Sequence, residues 1–152
     1  MRAQKVSSAK PADYDSDVIL WAEEQARLLR AGRFAELDIE HIADEIEDVG
    51  KSEKRELASR MAVLLAHLLK WRFQPEKRTK SWRTTIKGQR RSIEAALRAT
   101  PSLKTVMRDP EWGAVVWDDA LAQAERETGL EDLPESCPFT FDEARDPDFW
   151  PE

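Results

Sequence analysis

LDIEHIADEIEDVGKSEKRELASRMAVLLAHLLKWRFQP, residues 37–75, decides the fold. Ile39, Ile42, Ile46, Val49, Leu57, Met61, Leu64 and Leu68 recur at helical steps as far as Phe73, with polar residues filling the other faces. Asp38 is a good N-cap, and Leu37 with Ile42 brackets it as a hydrophobic staple. At the other end Pro75 disfavours helical backbone at Gln74, so the run closes after some 35 residues. Gly50 costs about 1 kcal/mol relative to alanine and either breaks the run or marks a close crossing. We read the helix as unbroken.

Outward from that helix the same period returns on both sides. A first helix is expected after Asp15 or Ser16 as cap, with Val18, Trp21, Ala22, Gln25 and Leu29 on one face and Gly32 as its stop. Phe34 and Leu37 then pin the loop. Downstream, Ser81 is expected to cap a third helix whose buried stripe is Trp82, Ile86, Gln89, Ile93 and Leu97. Thr100 and Pro101 read as the cap and first position of a short helical turn. Asp109-Pro110-Glu111 opens a fourth long helix carrying Trp112, Val115, Val116, Ala120 and Ala124, closed by Gly129-Leu130.

No segment alternates apolar and polar residues, so the fold class is all-α: a bundle of about four main helices. Pro134, Pro138, Pro147 and Pro151 forbid a long helix after Glu131. Leu133, Phe139, Phe141, Phe149 and Trp150 make that stretch too apolar for simple disorder, so residues 131–152 should be an extended arm that buries its aromatics on the bundle. At 152 residues the chain suits one globular unit, with residues 1–13 flexible and 14–152 the helical domain. Six tryptophans supply large, stiff core pieces whose indole N–H groups need acceptors when buried.

Charge is the second signal. The 24 basic and 30 acidic residues give −6, an acidic protein rather than a generic polyanion binder. The balance is uneven: Lys70–Arg91 holds nine basic residues against Glu76, a net of +8, while Asp109–Glu152 holds fourteen acids against two arginines, a net of −12. These fields either neutralise each other within the fold or face separate partners, and the first is the expectation. The longest apolar run, Met61–Ala66, is far short of a membrane span, and the N-terminus has no apolar segment of a secretory signal. With Cys137 alone, no intramolecular disulfide can form, so a reducing cytoplasm is the expected setting.

Three constellations are candidates for chemistry. On a helix Lys80, Arg83, Lys87, Arg90 and Arg91 form a cationic ridge that, with Arg78 and Trp82, could contact successive phosphates of nucleic acid. The alternative is that these cations grip the acidic arm. His41, Glu45 and Asp48 share a helix face and could ligate a metal, although the spacing equally suits a solvated cluster, and neither metal nor cofactor is expected. Arg60 and His67, two turns apart, resemble the Arg-x4–6-His motif of HEPN-type helical ribonucleases, in which histidine and arginine act on the scissile phosphate. Met61 departs from that family's usual polar residue, and His67 equally suits a core edge beside Trp71. Cys137 has no His nearby for a nucleophile pair, and glycine-rich phosphate loops are absent.

Several longer phrases point the same way: YDSDVILWAEEQARLLRAGRFAELDIEHIADEIEDVGKSEKREL, then HLLKWRFQPEKRTKSWRTTIKGQRRSI, then ETGL and CPFT. In this order they resemble the bacterial domain-of-unknown-function family 29 from Tyr14 to Pro151. The resemblance implies a small helical protein in which Gln74–Arg91 is a hallmark segment, and it carries over no catalytic residue. The resulting expectation is a non-enzymatic binding or interaction domain with a protein partner; the alternative is a helical nuclease or a nucleic-acid binder using residues 70–91.

Overall fold

The computed structural model describes residues 12–152. The expected flexible segment 1–13 falls almost wholly outside them. All the regular structure among the described residues is helical: α1 (Val18–Arg30), α2 (Ile39–Phe73), α3 (Lys80–Ala99), α4 (Leu103–Met107), α5 (Pro110–Thr128) and α6 (Phe141–Arg145), with single 3₁₀ turns at Phe34–Glu36 and Pro75–Lys77. Two compact units divide the chain, Met1–Gly50 and Lys51–Glu152.

In the first unit α1 starts one or two residues later than expected, because the Asp17 side chain accepts from the Leu20 N–H. Asp13 instead caps the preceding turn through its carbonyl, which takes the Ser16 and Asp17 amides. Gly32 does stop the helix: at φ +72° it lets Arg33 N–H reach the Leu28 carbonyl and its own N–H reach Leu29, a Schellman closure. The buried stripe is Trp21, Gln25 and Leu28. Val18, Ala22 and Leu29 are exposed, so the buried stripe is narrower than expected and takes Leu28 in place of Leu29. Phe34 does not pin the loop; its ring is 64% exposed.

The 35-residue α2 runs unbroken through Gly50 and ends at Phe73. Its stripe is buried only from Leu57 onward, where Leu57, Met61, Leu64, Leu65, Leu68 and Leu69 form the middle of the second unit's core. Ile86, Ile93 and Leu97 of α3 and Val116, Trp117, Ala120 and Ala124 of α5 complete it. The cap of α3 is Thr79, whose side chain accepts from Trp82 N–H, so the helix begins before Ser81. Trp82 and Gln89 are half-buried rather than core, and Arg90 takes a fully buried place. Asp109 and Gly129 bound α5 as expected, the glycine at φ +70°. The short helix after Pro101 starts two residues late, at Leu103, and Val115 faces outward.

Residues 131–152 pack on the second unit, but not as a purely extended arm. Thr140 and Glu143 form a reciprocal capping box that nucleates α6 between the prolines. Phe139, Ala144 and Pro151 are buried, and Phe141, Phe149 and Trp150 are half-buried against the core. Trp117 Nε1 donates to the Glu135 carbonyl at 2.8 Å, giving that indole its acceptor, whereas Trp112 Nε1 has no partner.

Candidate functional site

Three regions hold the residues singled out above. In the first unit, Asp38 joins α1 to the start of α2. Its carboxylate accepts from Trp21 Nε1 at 2.9 Å and lies 2.7 Å from His41 Nδ1, while its backbone N–H donates to Gln25 Oε1 at 2.8 Å. Tyr14 stacks on His41 with ring centroids 4.0 Å apart and donates its hydroxyl to Glu45 at 2.5 Å. These contacts shift the titrations: the Asp38 hydrogen bond raises His41, the His41 hydrogen bond lowers Asp38, and the Glu45 carboxylate pushes Tyr14 up to about 12. The cluster is therefore an internal clasp. His41 and Glu45 are both engaged, Asp48 is exposed and further along the helix, and among the described residues no group of three His, Cys, Asp or Glu could hold a metal ion.

Around that clasp the first unit exposes large apolar side chains among its charged ones. Ten large hydrophobic residues are exposed among those described, and eight of them fall between Val18 and Val49. The α2 members lie at heptad spacing: Ile39, Ile42, Ile46 and Val49 are separated by three, four and three residues, the a/d pattern of a helix-packing seam. Ile39, Ile46 and Val49 are 67%, 68% and 66% exposed. Every residue from Ile46 to Glu56 is exposed, about three turns of helix. Sequence periodicity located this stripe, but periodicity cannot say whether the partner of an apolar face lies in the same chain.

The cationic segment is split by the arm. Arg90 is buried, and its guanidinium donates to the carbonyls of Ala144 (2.8 Å), Pro147 (3.4 Å) and Phe149 (2.6 Å). Arg78 donates to the Trp71 and Pro151 carbonyls at 2.8 and 3.3 Å. Arg83 lies over both Trp71 and Trp150, at 5.4 and 5.1 Å from their centroids. The cations do hold the arm, through main-chain oxygens and aromatic faces rather than through its carboxylates. Trp82 carries the Lys70 ammonium on its ring at 4.9 Å. Lys80, Lys87 and Arg91 remain exposed. Lys87 and Arg91 line a cleft of about 710 Å³ together with Arg98, Glu94, Arg145 and Pro147. Sequence reasoning missed Arg98 and Arg145; the step from Lys87 to Arg91 to Arg98 on one helix face was the available signal for Arg98.

Arg60 and His67 face different neighbours. Arg60 pairs with Glu56 at 2.9 Å and lines a groove with Ser92 and Ala96 of α3. His67 has its Nδ1 2.8 Å from the Val63 carbonyl, burial lowers its pKa, and its charged neighbours are Lys70 and Glu127. Lys70 is itself buried and bonds Glu127 at 2.6 Å. Cys137 is half-buried, its thiol donates to the Phe139 carbonyl at 3.0 Å, and burial pushes its pKa up.

Fold and site together define a small all-helical protein with no helix long and apolar enough to cross a membrane among the described residues. The chain belongs to the family described as Domain of unknown function DUF29, whose model matches residues 14–150. No curated protein and no solved structure matches it.

Proposed function

We propose that this protein is a non-enzymatic interaction domain that docks a cationic amphipathic helix of a partner protein along the Ile39-Ile42-Ile46-Val49 seam. The observation that carries this reading is the exposure of Ile39, Ile46 and Val49, with Ile42 half-buried between them, along one stripe of α2. An apolar stripe exposed on a helix gains stability only when another surface covers it. The first unit also buries few apolar side chains of its own, Trp21 and Leu28.

Charge selects the occupant. Residues 12–50 carry twelve acids and three arginines, a net of −9. Two copies of the same face repel each other, whereas a lysine- or arginine-flanked helix is attracted. Ala43 and Gly50 beside the seam are small, and a Cβ at Gly50 would meet nothing, so a partner backbone can approach closely. A bacterial cytoplasm suits the reading, because Cys137 is the chain's single cysteine and needs no oxidising compartment.

The test is fluorescence anisotropy of the full chain with a labelled Lys/Leu heptad peptide, alongside sedimentation of the protein alone. Binding that falls at least about tenfold in Ile46→Glu/Val49→Glu, with Val115→Glu unaffected and the protein monomeric, is the expected result. Equal binding by both variants, or a dimer of the protein that Ile46→Glu/Val49→Glu dissolves, overturns it.

A further inference from the structure

The cleft between α3 and the C-terminal arm has a charge arrangement that the docking reading does not use. Glu94 is the acid among its lining residues, and Arg145 neutralises it, with Nε at 3.0 Å and Nη2 at 2.8 Å from Glu94 Oε1. Asp142 Oδ1, 3.3 Å from Nη1, fixes the same guanidinium from the other side. Lys87, Arg91 and Arg98 make no ion pair among the described residues and remain exposed. They stand at steps of four and seven on α3, so their side chains project into one space. Beside them Arg90 is buried, its hydrogen bonds go to carbonyl oxygens, and Asp146 and Asp148 of the arm offset part of its charge. Pro147 supplies an apolar wall.

We propose that this cleft binds a compact oligophosphate, free or as the phosphate tail of a small organic molecule, with Lys87, Arg91 and Arg98 as its direct ligands. Several cations around one open cleft of about 710 Å³ match a small polyvalent anion, whose charge is concentrated enough to engage all of them at once. A nucleic-acid strand fits less well. Asp142, Asp146 and Asp148 are exposed on the adjoining arm and repel a polyanion running beyond the cleft, and the chain's net charge of −6 opposes non-specific attraction. The site is independent of the docking seam, so either stands if the other fails.

Isothermal titration calorimetry of the full chain with inorganic tripolyphosphate tests it. The expected result is one site per chain, weakened by added salt and by at least about tenfold in Arg91→Glu/Arg98→Glu. Arg91→Gln/Arg98→Gln removes the same ligands without adding carboxylates and should lose affinity as well. Lys77→Glu/Lys80→Glu, two exposed cations outside the cleft, should bind as the parent does. Absence of binding at low salt overturns the proposal, as does equal weakening by the two charge-reversal pairs. Binding of a single-stranded RNA oligonucleotide without binding of tripolyphosphate likewise overturns it, in favour of a strand interface.

Discussion

The Nη2 atom of Arg90 lies 2.6 Å from the Phe149 carbonyl oxygen, joining α3 to a residue 59 positions away. The same guanidinium reaches Ala144 and Pro147, so one buried fork holds three carbonyls of the arm's backbone. Arg90→Ala should destabilise the protein by about 2 kcal/mol or more, since it leaves buried carbonyls without donors. Arg90→Lys should recover only part of this, because an ammonium cannot span the three oxygens. Denaturant unfolding measures the first effect, and faster tryptic cleavage after Arg145 reports release of the arm.

The two histidines should titrate in opposite directions. His41 is raised above 6.5 by Asp38, so its contribution is fully present below pH 6.5 and lost as pH rises through its folded value. Asp38 is lowered from 3.8, and its contribution is lost only as pH falls through its own depressed value. His67 is lowered from 6.5 by burial, so the folded state favours its neutral form and loses stability as pH falls below 6.5. NMR titration of the imidazole carbons should give one midpoint above 6.5 and one below. Asp38→Asn should move the upper one down and leave the lower one in place.

Gly50→Ala should stabilise the protein by about 1 kcal/mol, because the added methyl meets no atom and removes the glycine's backbone freedom in the middle of α2. A rise of about 2–4 °C in the unfolding midpoint is the expected reading. The same methyl stands beside the seam, so tighter folding should be accompanied by weaker docking of a close-packed partner helix.

Cys137 should react slowly. Its thiol is half-buried, donates to the Phe139 carbonyl and has its pKa raised by burial, all of which lower the thiolate fraction. Its rate with a disulfide reagent at pH 7.5 should fall several-fold below that of glutathione and recover in denaturant.

Much of this architecture is legible from residue pattern alone. The 35 residues of α2 follow from Asp38 at one end and Gln74-Pro75 at the other, and α5 from Asp109-Pro110 and Gly129, because caps and breakers act locally. The shifted caps at Asp17 and Thr79 show where neighbouring polar residues compete and geometry decides among them. The capping box of α6 was present as Thr140 and Glu143 but hidden by the flanking prolines. The sites were less accessible. Arg90 and Lys87 look alike in sequence, yet one is buried under carbonyls and the other faces the cleft, a difference made by an arm more than fifty residues downstream.

Hydrogen exchange reads the docking face of α2 residue by residue. In the free protein the amides of residues 46–56 should exchange faster than those of residues 61–71, where the same helix is packed into the core. Addition of the Lys/Leu heptad peptide should slow exchange across residues 39–56 and leave α5 unchanged. Protection that appears elsewhere, or none at a saturating peptide concentration, would contradict the assignment of this face as the docking surface.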